Sequence, residues 1–197
     1  VFKEIIGTFE PDENGNLLNP YFINNDVWVE ENGGLKMPEN KLFSFLLFDT
    51  PLTTNRVEAT FENMSLSGSG DDRNGIVFAL TEHNPGATLN GEGDANVSFY
   101  WAFITGWGDE YRVAVLKMGK GGDWNMISDG GWEKCGKTFT EIGVKNSGEK
   151  VKLAAEWDNE GHIKVFVNGK LAHDITDAAP FTGNLYGVLT RRWANSP

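Results

Sequence analysis

The chain has 197 residues and carries 28 acidic against 17 basic side chains, a formal charge of -11. That balance argues against a nucleic-acid partner, whose phosphates need a basic face, and against adsorption to anionic lipid. No apolar run approaches the roughly 18 residues that would span a bilayer as a helix. The single Cys135 forms no internal disulfide, and no Cys/His cluster has the spacing of a structural zinc site. With 24 Gly, 13 Phe and 7 Trp, turn formers and aromatics together point to an all-β chain.

Asp12, Asn14 and Asn16 place oxygen ligands at alternate positions, like the opening of a calcium loop. The glutamate such a loop needs at its twelfth position is replaced by Ile23. Two readings stay open, a partial structural calcium site and an Asx-rich turn, and they apply equally to Gly70-Asp71-Asp72.

From Arg56 onward a period of two dominates. Val57, Ala59 and Phe61 alternate with Arg56, Glu58, Thr60 and Glu62, a strand with one wet face. Ile76–Leu80 is apolar on both faces and reads as a central strand. Thr81 to Asn96 is the longest irregular segment, and a structureless loop of that length is uncommon unless it has a function. Phe99–Ile104 and Tyr111–Leu116 are strands joined through Gly106-Trp107-Gly108-Asp109-Glu110. The side of Phe99–Ile104 that faces the core is open, because both sides are apolar. Gly119-Lys120-Gly121-Gly122-Asp123 makes the next turn. Val151–Trp157 and Ile163–Val167 flank a turn at Asp158-Asn159-Glu160-Gly161, and Asn168-Gly169 is a two-residue hairpin signal. A dozen or so short strands imply a two-layer antiparallel β-sandwich, with residues 1–197 as one domain. The chain opens on Val1 and is expected to be excised from a larger protein or processed.

Three segments carry a resemblance. The first is Val27-Trp28-Val29-Glu30-Glu31-Asn32-Gly33-Gly34-Leu35-Lys36-Met37. The second is Arg56–Phe61 followed by Asn74–Ala79. The third is Val151–Trp157, its turn, and Ile163–Leu171. In order and character they resemble the concanavalin A-like lectin/glucanase superfamily, in its laminin-G-like and carbohydrate-binding-module branches. The resemblance implies a jelly-roll sandwich, a carbohydrate partner, a possible structural calcium, and an extracellular or cell-surface bacterial location. A neighbouring catalytic domain in the parent protein is expected. Gly183–Leu189 matches the family's penultimate strand. The strand that should follow is either missing or replaced by Phe2–Ile6.

No residue is assigned to catalysis. Glu156-Trp157-Asp158-Asn159-Glu160 is superficially like the glucanases' catalytic strand, but Asp158–Gly161 reads as a hairpin turn. Cys135 reads as an inert thiol. The aromatics are more informative, because four of the seven Trp fall between residues 98 and 132. Sugars stack their C–H faces on indoles and hydrogen-bond planar polar groups through their hydroxyls. The expected ligand surface is therefore Trp101, Tyr111 and Arg112 on strands, Trp107, Trp124 and Trp132 in turns, and Asp94, Asn96 and His83 from the long loop. The leading expectation is a non-catalytic carbohydrate-binding module. A glycoside hydrolase or polysaccharide lyase of the same fold, or an adhesin-like interaction domain, are the alternatives.

Overall fold

A computed structural model describes residues 29–31, 34–36, 43–48, 54–64, 66, 69–80, 97–121 and 124–191. Alternation of apolar and polar side chains produces thirteen described strands. These are β1 (Val29–Glu31), β2 (Gly34–Lys36), β3 (Phe43–Phe48), β4 (Arg56–Glu62), β5 (Ser69–Leu80), β6 (Phe99–Trp107), β7 (Glu110–Met118), β8 (Trp124–Met126), β9 (Lys137–Thr138), β10 (Lys150–Trp157), β11 (His162–Val167), β12 (Lys170–Thr176) and β13 (Leu185–Arg191). One helix of four residues, α1 (Gly131–Lys134), lies between β8 and β9.

All described pairings are antiparallel. Strands β1 and β2 form a small ribbon, as the first family-like segment implies. A four-stranded sheet runs β12-β11-β10-β4, and a seven-stranded sheet runs β3-β13-β5-β6-β7-β8, with β9 also on β7. The late strand β13 lies between β3 and β5, and β10 pairs with β4. Chain-distant strands are thus neighbours, as in a jelly roll rather than a meander.

The four-stranded sheet has the wet face its sequence announces. Arg56 bridges Glu58 and Glu156, Lys152 reaches Glu58 at 3.0 Å, and Lys150 reaches Glu62 at 3.2 Å. Its other face packs Val57, Val151, Leu153, Ala155, Trp157, Val165 and Val167 against Ile76, Phe78, Tyr100, Ala102, Val113 and Val115 of the seven-stranded sheet. Each large side chain buried there contributes about 1.5–3 kcal/mol. Turn chemistry falls where it was expected: Asn168 and Gly169, at φ 49° and 79°, join β11 to β12 in the doubly positive conformation of that hairpin.

One reading is corrected and one that stood open is resolved. Gly70-Asp71-Asp72 lies within β5 rather than in a turn, at a register slip between Ser69 and Arg73. The openness of Phe99–Ile104 resolves into burial on both sides: Tyr100, Ala102 and Ile104 enter the inter-sheet core, while Phe99, Trp101 and Phe103 enter a second apolar cluster on the far face.

Candidate functional site

The far face of the seven-stranded sheet is ordered in rows by strand register. Directly opposed residues on antiparallel strands share a face. One row runs Phe99, Met118, Trp124 across β6, β7 and β8. The next is Gly187, Val77, Trp101, Leu116, Met126, and the third is Leu189, Gly75, Phe103, Ala114. These three are apolar and buried, except at β8, where Trp124 and Met126 are half-buried. The fourth changes character: Arg191, Arg73, Thr105 and Arg112 stand side by side on β13, β5, β6 and β7.

Glycine at position 75 is required by the row beside the arginines. A Cβ there would lie 2.5 Å from Trp101 Nε1 and 2.2 Å from the Ala102 carbonyl oxygen. The indole of Trp101 therefore leans over Gly75, tilted against Phe103 at 4.8 Å between centroids. The Arg73 guanidinium sits 5.1 Å from the Phe103 ring centre and 5.6 Å from that of Trp132 on α1. Arg112 donates from Nη1 to the Lys134 carbonyl at 2.6 Å, which ties α1 to β7. Cys135 follows α1 in a left-handed conformation, at φ 46° and ψ 52°. Burial pushes its thiol above the ordinary value, while Arg73 and Arg112 pull the other way. That environment fits an inert side chain.

Trp107 ends β6, two residues beyond Thr105 and by alternation on the same face. It is 41% exposed, and Trp132 is 45% exposed. The polar end of this face therefore combines two exposed indoles with three guanidinium groups and a hydroxyl.

Of the expected ligand residues, the fold brings Trp107, Trp132 and Arg112 to this end. Trp101 is on the same face but has no exposed surface. Trp124 is partly buried in β8, three rows away. Tyr111 points the opposite way: it packs on Phe139 and donates its hydroxyl to the Met64 carbonyl at 2.6 Å. His83, Asp94 and Asn96 lie outside the described residues, as do Asp12, Asn14 and Asn16 with their calcium reading. Thr105, Arg73 and Arg191 were missed by sequence reasoning. The available signal was scarcity: of five arginines in the chain, three interrupt or end otherwise apolar strands.

The acidic Glu-x-Asp-x-Glu run is split between the end of β10 and the turn that follows it. Glu156 ends up on the wet face, paired with Arg56. Asp158 closes an Asx turn, accepting from the Glu160 and His162 amides at 2.9 Å and from the His162 ring at 2.7 Å. Asp158, Glu160 and His162 are the one described group close enough together to chelate a cation. The carboxylate is already committed to those turn bonds.

No family model and no curated protein sequence matches the chain. Solved structures do. A carbohydrate-binding module of type CBM66 from Bacillus subtilis superposes with a TM-score of 0.58 at 16% identity over 86% of each chain. Sheep galectin-11 aligns over 80% of this chain and 97% of its own, at 18% identity and TM-score 0.37. Porphyranase B from Zobellia galactanivorans aligns over 94% of this chain and 69% of its own, at 11% identity and TM-score 0.43. With two antiparallel sheets, the described pairing order and the CBM66 superposition, the chain has a jelly-roll β-sandwich fold.

Proposed function

We propose that the chain is a non-catalytic carbohydrate-binding module, and that the polar end of the far sheet face is its ligand surface. The observation that carries this reading is the coincidence of Trp107 and Trp132, both exposed, with the arginine-threonine row on one rigid sheet. Large exposed apolar rings on a monomer mark interaction sites, and an indole beside planar polar donors suits a sugar ring with hydroxyls at its edge. The likeness to a carbohydrate-binding module supports the same class of partner. A hydrolase would need two carboxylates about 5–10 Å apart across a groove. The row itself contains none, and the acidic run that suggested a pair is spent on a turn and a surface bridge.

The test is isothermal titration of the chain against plant, algal and microbial polysaccharides, with Trp107→Ala and Trp132→Ala alongside. Saturable binding that weakens at least tenfold in either variant, with melting temperature retained, is the expected result. Absence of binding across the panel removes the reading.

A further inference from the structure

We propose that Arg73 is a positioning residue of the ligand surface: its guanidinium holds the Trp132 indole by its inner face, so that a sugar ring stacks on the outer face alone. The proposal rests on the carbohydrate-binding reading above and deepens it. Trp132 is not held by its own helix. The four residues of α1 include none that is buried, and no side chain caps its start. Gly130 and Gly131 lead into it at φ 86° and 53°, a conformation that glycine takes at no steric cost. A single turn has no stability of its own. What fixes α1 is the seven-stranded sheet. Ser128 Oγ accepts from the Val115 amide at 3.1 Å before the helix, Arg112 Nη1 donates to the Lys134 carbonyl at its last residue, and a Cβ at Gly136 would collide with the Val113 carbonyl just beyond it. These contacts seat the backbone and leave the indole, 45% exposed, able to turn about both side-chain torsions.

Arg73 removes that freedom. Its guanidinium lies 5.6 Å from the Trp132 ring centre and 5.1 Å from that of Phe103, and a cation–π contact reaches to about 6 Å. Phe103 has no exposed surface, and Arg73 is 8% exposed, with interactions that extend beyond these two rings. The seat is therefore rigid, and Trp132 is the one member of the stack that meets solvent. An irregularity in β5 delivers Arg73 to this place. Between the pairs Ser69–Trp107 and Arg73–Thr105, β5 has three intervening residues where β6 has one. Bulges re-aim side chains and are common beside binding sites. This one lies between the exposed indoles: Trp107 pairs with Ser69 on one side of it, and Trp132 rests on Arg73 on the other. With a guanidinium on its inner face, the Trp132 ring needs no ordering when a sugar arrives. Preorganising one such side chain is worth about three- to tenfold in affinity. Because Arg73 is already partnered, the arrangement asks for no charge on the ligand.

The experiment titrates the chain with xylan, laminarin, dextran, pectin and carrageenan, and follows the tightest binder through a double-mutant cycle. Trp132→Ala should weaken binding by about tenfold or more. Arg73→Met keeps an unbranched side chain but removes the guanidinium, and should weaken binding by about three- to tenfold. Arg73→Lys keeps a charge over the ring without the planar fork, and should recover part of that loss. In the Trp132→Ala background Arg73→Met should cost less than about twofold, because a residue that acts through the indole has nothing left to position. A second readout uses no ligand. In chain labelled with fluorotryptophan, the fluorine NMR resonance that disappears in Trp132→Phe should shift and narrow toward its unfolded position in Arg73→Met. The Trp107 resonance should keep its place, which also reports that the variant is folded. Equal losses of affinity with and without Trp132, or an unmoved Trp132 resonance in folded Arg73→Met, would overturn the proposal and leave the carbohydrate-binding reading standing. Silence across the panel would end both.

Discussion

The two faces of the seven-stranded sheet are equally dry and differently finished. On the inner face the hydroxyls and the indole that enter the core have partners, and His173 Nδ1 is buried without one. The Tyr100 hydroxyl donates to Asp177 at 2.6 Å and accepts from the Phe181 amide at 3.0 Å, and the Tyr111 hydroxyl reaches Met64. Across the gap, Trp157 Nε1 donates to the Gly183 carbonyl at 3.2 Å. On the far face, Trp101 Nε1 and Thr105 Oγ1 are buried and unbonded. Burying a polar group without a partner costs about 1–3 kcal/mol, so a sheet whose own inner-face hydroxyls are satisfied and whose far face is not is finished for stability on the first. The second retains a cost that binding can offset. Stability should therefore respond to the inner face, and affinity to the polar end of the far face.

The largest effect expected from that division is Phe78→Ala. Phe78 has no exposed surface and packs on Tyr100 at 5.5 Å and Trp157 at 5.0 Å between ring centroids. Losing it should destabilise by about 3–5 kcal/mol in urea unfolding. A loss below about 1 kcal/mol would mean that the inner core tolerates the cavity and that the two faces do not differ in this way.

Tyr100→Phe comes next and probes hydrogen-bond completeness alone. It leaves Asp177 with Lys117, at 2.6 Å, and deprives the Phe181 amide of its acceptor. A destabilisation of about 1–3 kcal/mol is expected. The variant should also be less resistant to acid. Burial raises the Asp177 pKa, but the Lys117 and Tyr100 bonds outweigh it and the net shift is downward. The stability this confers is present above the ordinary value of 3.8 and is lost as pH falls from there through the folded value. Removing the Tyr100 bond should narrow that window, read as an acid midpoint moved to higher pH. An unmoved midpoint would assign the depression to Lys117 and the Ala179 amide. On the far face, Trp107→Ala should change stability by no more than about 0.5 kcal/mol while weakening binding by about 1–3 kcal/mol. A collapse in melting temperature with affinity retained would make Trp107 a cap on the sandwich.

How much of this was legible follows from which faces are wet. Arg56–Glu62 and Val151–Trp157 alternate cleanly because the four-stranded sheet has one solvated side, and both pair in one sheet as their pattern suggests. Strand β6 does not alternate, since the seven-stranded sheet is buried on both sides, so no sequence pattern could orient Trp101 or Tyr100. Trp107 and Trp132 were legible through their glycine-flanked or glycine-rich surroundings. Tyr111 was misjudged because an aromatic next to Arg112 reads as part of the same surface, whereas adjacent residues on a strand face opposite ways. The arginine row was invisible because residues 73, 105, 112 and 191 meet only through three separate strand registers, and register is a property of the assembled sheet.

The smallest effect expected concerns the tie between the sheets. His173 on β12 is 1% exposed, and its Nε2 lies 2.9 Å from the Val113 carbonyl of β7, so the side chain joins the two layers directly. Burial opposes the imidazolium and holds its pKa below the ordinary 6.5, with the Val113 carbonyl pulling upward and Lys137 and Asp129 acting in opposite senses. The folded chain keeps this ring neutral, with Nε2 as the donor, where the unfolded chain protonates it. The unfolded state then binds more protons below 6.5. The ring's contribution is whole above that pH and is lost as pH falls from 6.5 through the folded value. Urea midpoints at pH 7.5 and 5.5 should diverge for the natural chain and converge for His173→Gln, whose side chain does not titrate. Equal pH dependence in both would mean that the ring is charged inside the fold, and the inner face would then contain a buried cation as the far face does.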